Sequence, residues 1–151
     1  SMSETTSTII KIIKGEMPVG INGSFNIVDV RDLAAGCIAA ADIGRVGEGY
    51  ILGNEVISFK TLSRILCNEL GCPPIKFFLP IPFAERIASR MERKAARTGE
   101  TPMMTTFSVY NLKRNNCFDY SKAARELGYT VRPFEETLRD QAQWLRENGM
   151  I

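Results

Sequence analysis

Residues 118–129, Phe-Asp-Tyr-Ser-Lys-Ala-Ala-Arg-Glu-Leu-Gly-Tyr, constrain this chain more than any other stretch, because both ends of a short helix are written into them. Asp119 or Ser121 offers a short side-chain oxygen to the orphan N–H groups at the helix start. Ala123, Ala124, Arg125, Glu126 and Leu127 are good helix formers. Gly128 follows the last turn, where a left-handed residue is wanted and glycine takes that shape without steric cost. Tyr-Thr-Val-Arg-Pro comes next, and then a last amphipathic helix over 134–148 that carries Trp144.

The rest of the chain reads as alternating helices and short strands. A helix is expected over 5–14, with Ile9, Ile10, Ile12 and Ile13 apolar and Gly15 closing it. Turn-rich residues 17–23 lead into a strand over 25–30. Asp32 reads as the N-cap of a helix over 33–41, whose small apolar residues imply packing on most sides; Asp29 reads as a local partner for Arg31 or a turn. Residues 44–49 form a loop and 50–52 a second strand. Ser58 caps a helix over 59–70, with Phe59, Leu62, Ile65, Leu66 and Leu70 on one face and Gly71 after it. Residues 75–79 suggest a third strand, and 83–97 the longest helix. There Phe83, Ile87, Met91 and Ala95 repeat every four residues, opposite Arg86, Arg90, Arg93, Lys94 and Arg97. A short helix over 105–111 and an extended stretch at 116–118 complete the pattern.

Bulk properties exclude several functions. At 151 residues the chain is one domain by length, with a net charge of +2 that gives no push toward nucleic acid or a membrane surface. No apolar run approaches the roughly 20 residues of a membrane span, and no charged-then-apolar leader opens the sequence, so the expected location is cytoplasmic. The chain has no histidine, which removes Ser-His-Asp and Cys-His catalysis outright. A zinc site would need all four scattered cysteines, Cys37, Cys67, Cys72 and Cys117, so buried or half-buried thiols are the expectation. The basic residues of 86–97 are interleaved by Glu85, Glu92 and Glu100, which reads as a solvated helix face with no nucleic-acid partner.

The stretch around Asp119 resembles the C-terminal signature of the extended short-chain dehydrogenase/reductases, D-x-[ST]-K-A-x-x-[ED]-L-G-[YWF]-x-P. Asp119, Ser121, Lys122, Ala123, Leu127, Gly128 and Tyr129 match it, and its proline arrives later, at Pro133. Two weaker motifs occur in the family's order: Phe-Asn-Ile-Val-Asp-Val-Arg-Asp-Leu-Ala at 25–34 and Tyr-Ile-Leu-Gly at 50–53. The resemblance covers nearly the whole chain, but only the second half of such a protein. It implies an α/β, helix-rich substrate-binding half over 1–151, whose few short strands extend a Rossmann-type parallel sheet in the parent. It also implies NAD or NADP for that parent, with no cofactor bound by this chain alone.

The family's chemistry needs a glycine-rich turn between strand and helix for the cofactor pyrophosphate, and a Tyr-x-x-x-Lys pair for proton exchange. The glycines of 44–49 follow a helix and precede a strand, the reverse of the required context. Tyr110 has Lys113 three residues on and Arg114 four residues on, so no such pair is formed and no catalytic residue is assigned. What the resemblance leaves to this half is substrate recognition. By position it nominates Met103, Met104, Thr106, Phe107, Val109 and Tyr110, which read equally as core residues of a short helix. Lys122 reads as part of a solvated helix face.

Enzymes of the family that act on nucleotide-diphosphate sugars usually carry Arg-Asp-[FY] where this chain has Phe25-Asn26-Ile27. That arginine grips the diphosphate as a forked donor, which Phe25 cannot do. The departure favours the dihydroflavonol-reductase-like branch, with a small carbonyl or hydroxyl compound as partner. Strands without neighbours would favour a homo-oligomer. The rival reading is a stand-alone, non-catalytic binding or regulatory domain on the same scaffold.

Overall fold

The computed structural model describes residues 4–102, 104–114 and 116–151. Their elements run α1 (Glu4–Ile13), β1 (Val19–Ile21), β2 (Ser24–Asn26), α2 (Val30–Ile43), β3 (Val56–Ser58), α3 (Phe59–Leu70), β4 (Phe77–Leu79), α4 (Ile81–Thr98), α5 (Thr106–Lys113), α6 (Ser121–Leu127) and α7 (Phe134–Glu147). The chain is α/β and helix-rich, as the sequence implies.

The main core forms where α1, α3 and α7 meet. Ile9 and Ile12 of α1, Leu62 and Leu66 of α3, and Leu138 and Leu145 of α7 are essentially buried there. α3 has the bounds its sequence predicts, because both ends are specified locally. The Ser58 hydroxyl accepts from Thr61 N–H at 3.0 Å, and Gly71 takes the left-handed conformation at φ 68°. α6 is bounded as expected too: the Asp119 carboxylate accepts from Ser121 N–H, and Gly128 turns left-handed.

The four strands among the described residues are short: β2 and β4 fall within or beside the stretches 25–30 and 75–79 read as strands, whereas β1 and β3 lie outside any such stretch. β1 pairs in parallel with β4, and β2 pairs antiparallel with β3. β1 lies inside the stretch read as turns. Its Gly20 passes so close to Phe78 that an added Cβ would sit 2.7 Å from the ring, so glycine is needed there for approach. β2 stops at Asn26, and residues 50–52 form no strand, since no described segment pairs with them.

Two helices also differ. α2 starts at Val30, capped by Asp29, whose carboxylate accepts from Arg31 N–H. Asp32, expected to cap, lies inside the first turn. α2 is not packed on most sides: Asp32 and Gly36 are its buried residues, while Val30 and Ile38 are 74% and 63% exposed. In α4 the buried positions are Ala84 and Ala88, and the Phe83–Ile87 row expected inside is exposed. Small residues win because they let α5 pack close, with Val109 fully buried against them.

Candidate substrate-facing site

The nominated residues fall on α5 and the segment before it. α5 starts with a reciprocal cap: Ser108 N–H donates to the Thr105 hydroxyl, and Thr105 N–H donates to the Ser108 hydroxyl, both at 3.0 Å. Glu92 of α4 accepts from Thr106 N–H and its hydroxyl, and Lys113 donates to Glu85, so both ends of α5 are tied to α4.

A second brace comes from asparagines. Asn116 donates to the Ser24 and Asn111 carbonyls. Asn26 donates to the Asn54 and Asn116 carbonyls and accepts from Asn54 N–H. β2, the 53–55 segment and the end of α5 are therefore knit by two amide side chains. Gly23 lets the β1–β2 turn reach α5, since a Cβ there would lie 2.6 Å from Leu112 Cβ. Sequence reasoning passed over both asparagines. Asn26 entered only as part of Phe25-Asn26-Ile27, where the reading turned on Phe25, and Asn116 only as the start of an extended stretch.

On that frame the nominated side chains divide. Val109 is buried, and Met104 packs beside it. Thr106 is exposed and engaged by Glu92. Phe107 and Tyr110 project outward, 69% and 52% exposed. Met103 lies outside the described residues. Arg114 sits over the Tyr110 ring at 5.5 Å from its centroid. It meets the ring face, which is a cation–π contact.

Phe25, where sugar-nucleotide enzymes carry arginine, is committed to packing: its ring lies 5.8 Å from that of Phe59. A shallow groove of about 450 Å³ runs along the outer face of α4, lined by Pro82, Glu85, Arg86, Ser89, Arg90 and Arg93, and none of the nominated residues lines it. Glu92 turns toward α5, while Glu85 both borders this groove beside the arginines and accepts from Lys113 of α5.

Neither the glycines of 44–49 nor the N-terminus of α2 fits the phosphates of a dinucleotide. The glycines of 44–49 lie beyond the C-terminus of α2, whose partial charge repels phosphate, and the α2 N-terminus is flanked by the carboxylates of Asp29 and Asp32. Those carboxylates have structural partners. Arg31 chelates Asp29 with bonds of 2.8 and 2.9 Å, and Thr137 adds a third, which together hold the Asp29 carboxyl well below the usual range. Arg132 donates to Asp32 from both its backbone N–H and its guanidinium.

Lys122 is not a solvated side chain. It donates to the Glu48 carboxylate and the Gly49 carbonyl, and it lies 4.6 Å from the centre of the Tyr50 ring. Arg45 and Tyr50 meet Glu126 nearby, so α6 straps the 45–50 loop in place. Among the described residues no group of carboxylates and thiols is arranged to hold a metal, and no helix is long and apolar enough to cross a membrane. The four cysteines divide: Cys37 and Cys117 are exposed, and Cys67 and Cys72 are half-buried.

No family model matches the chain. It is 30% identical over 151 residues to a Synechocystis protein provisionally named dihydroflavonol 4-reductase, covering 97% of this chain and 44% of that protein. The crystal structure of gox2253 superposes with a TM-score of 0.79 at 32% identity, covering 99% of this chain and 45% of that one. A nucleoside-diphosphate-sugar epimerase from Pseudomonas aeruginosa superposes with a TM-score of 0.71 at 26% identity, covering 97% and 43%. The chain thus spans a little under half the length of the proteins it matches.

Proposed function

Because this chain is the C-terminal part of a protein of the short-chain dehydrogenase/reductase and epimerase family, we propose that it is the substrate-binding half of an NAD(P)-dependent reductase or epimerase. In this reading α5 presents Phe107 and Tyr110 to a carbonyl or hydroxyl compound, and Thr105, Asn116 and Glu92 hold that helix in place. The nicotinamide nucleotide and the proton-exchanging groups belong to a dinucleotide-binding half, which docks on the exposed apolar face of α2 and on residues 50–52. The observation that carries this is coverage. Nearly all of the chain matches, yet it spans only 43–45% of each relative named above. The apolar surface of α2 that this chain leaves uncovered fits the same reading.

The relatives' names split between a reductase and a nucleotide-sugar epimerase. Phe25, packed against Phe59, favours the reductase side, because no forked cation replaces it at that position.

The test is a titration of the chain with NADH and NADPH, followed by dihydroflavonol-type ketones and a nucleotide sugar, read by amide NMR. We expect weak, saturable shifts at 104–110 with the ketones, none with the nucleotide sugar, and no tight coenzyme binding. Micromolar coenzyme affinity of the chain alone, or turnover by it, would overturn the assignment. A nucleotide sugar that shifts α5 while ketones do not would move it to the epimerase branch.

A further inference from the structure

Cys67 occupies the last turn of α3, and Cys72 follows the left-handed Gly71 that ends the helix. Nothing lies within 4 Å of where a Gly71 side chain would begin, so the glycine is there for its φ of 68°, which turns the chain back over the helix end. That reversal brings the two sulfurs together: the Cys72 thiol donates to Cys67 Sγ across 2.9 Å, and the Cys67 thiol donates to the Pro73 carbonyl at 3.5 Å. Both side chains are half-buried, and Cys72 packs against the main core.

We propose that Cys67 and Cys72 form a reversible intrachain disulfide by exchange with a low-molecular-weight disulfide. Cys72 Sγ, giving its proton to solvent, attacks one sulfur of the small disulfide, whose S–S bond breaks and releases one small thiolate. Cys67 Sγ then loses its proton and attacks Cys72 Sγ in the mixed disulfide, expelling the second. The protein pair is oxidised by two electrons and the small disulfide is reduced by two, so no other reactant is needed. The sulfurs close by less than about 1 Å to reach a bonded separation. Burial pushes the Cys67 thiol up to about 12, so Cys67 rests as a thiol and the second step depends on proximity.

Closure staples the end of α3 beside Glu69, which pairs with Arg139 of α7, and it tightens the 73–76 lead into β4. The site regulates the stiffness of the frame that carries β4 and α4, and uses no residue assigned to the substrate.

The experiment uses the unsubstituted chain, incubated with oxidised glutathione, alkylated, digested and mapped by mass. The expected product has Cys67 and Cys72 joined within one peptide, free of glutathione and of alkyl label and restored by dithiothreitol, with amide exchange at 68–73 slowed severalfold. Exposed Cys37 reports whether the oxidant acted. Cys67→Ser should stop at a stable glutathione adduct on Cys72. A stable glutathione adduct at either member of the unsubstituted pair overturns the proposal. So does full alkylation of both while Cys37 is fully converted.

Discussion

α3 and α2 are consecutive helices of similar length, and α2 is the richer in apolar residues, yet it is α3 that buries its apolar row. α3 turns its apolar row inward, where Leu62 and Leu66 meet Ile9, Ile12, Leu138 and Leu145. α2 turns comparable residues, Val30, Leu33, Ile38 and Ile43, toward solvent. α2 is fixed to the body partly by polar groups, Asp29 with Thr137 and Asp32 with Arg132, and partly by small side chains, Ala39 and Ala40 packing toward Ala123, Leu127 and Tyr129. A glycine seam completes the attachment, with Gly36 against Leu52 and Tyr129. α3 is therefore a finished core helix. α2 has one side fastened and one side open to solvent, the side on which the proposed dinucleotide-binding half would dock.

The largest expected effect lies in the finished region. Leu138→Ala or Leu66→Ala removes a side chain with almost no exposure, and about 2–5 kcal/mol of stability should go with it. Denaturant midpoints at constant m-value measure it. A loss below about 1 kcal/mol would mean that α1, α3 and α7 are not the core.

Next comes the hook at the base of α2. Asp32→Asn keeps the shape but weakens the pairing with Arg132 in a site of little exposure, at a cost of about 1–3 kcal/mol. Arg132→Ala on top of it should add less than it does alone, because the two act as one unit. Strict additivity would show that the pair does not anchor α2. Gly36→Ala should cost about 1 kcal/mol. A Cβ would meet Leu52 and Tyr129 at 2.8–2.9 Å, an overpacking that outweighs the gain of about 1 kcal/mol in helix propensity. An increase in stability would mean the seam has slack.

Asp29 gives a pH test of the same hooks. Its folded carboxyl titrates below the ordinary 3.8, chiefly through the hydrogen bonds from Arg31, so the anion is favoured by folding. The stability this contributes is present above pH 3.8 and is lost as pH falls from there through the folded value. Glu69, Glu126 and Glu48 are lowered in the same direction by their pairings with Arg139, Arg45 and Lys122. Asp29→Asn should make the acid limb shallower, leaving the part contributed by Glu69, Glu126 and Glu48, with the rest of the profile unchanged. An unaltered limb would mean that the α2 cap carries no proton linkage.

Legibility in the sequence followed the range of the causes. α3 and α6 were readable because Ser58, Gly71, Asp119 and Gly128 act on backbone groups within a few residues. β1 and β3 were missed because a three-residue strand is defined by its partner, here one from β4 and one from β2. Residues 50–52 read as a strand for their side chains, but pairing needs a neighbour that the described residues do not supply. Asp32 was read as a cap because a short acidic residue before an apolar run fits that role; its partner, Arg132, lies 100 positions away. In the site, α5 itself was legible, whereas Asn26 and Asn116 act over long separations, the former reaching 90 residues on to the Asn116 carbonyl.

The smallest expected effect is the most discriminating. Ile38→Ser, on the outward side of α2, should change the stability of this chain by no more than about 0.5 kcal/mol, because a side chain 63% exposed loses little that folding had buried. If α2 is a docking helix, the same substitution should weaken association with a dinucleotide-binding half by tenfold or more, since a central apolar contact is then removed from an interface. Stability is read from the denaturant midpoint of the chain alone, and association by titrating the separately produced half. An Ile38→Ser variant that loses stability as Leu138→Ala does would make α2 part of a core this chain completes by itself. One that keeps its stability and also binds the other half undiminished would place the docking surface elsewhere. Only the pairing of an unchanged midpoint with weakened association supports the division between a finished side and a waiting one.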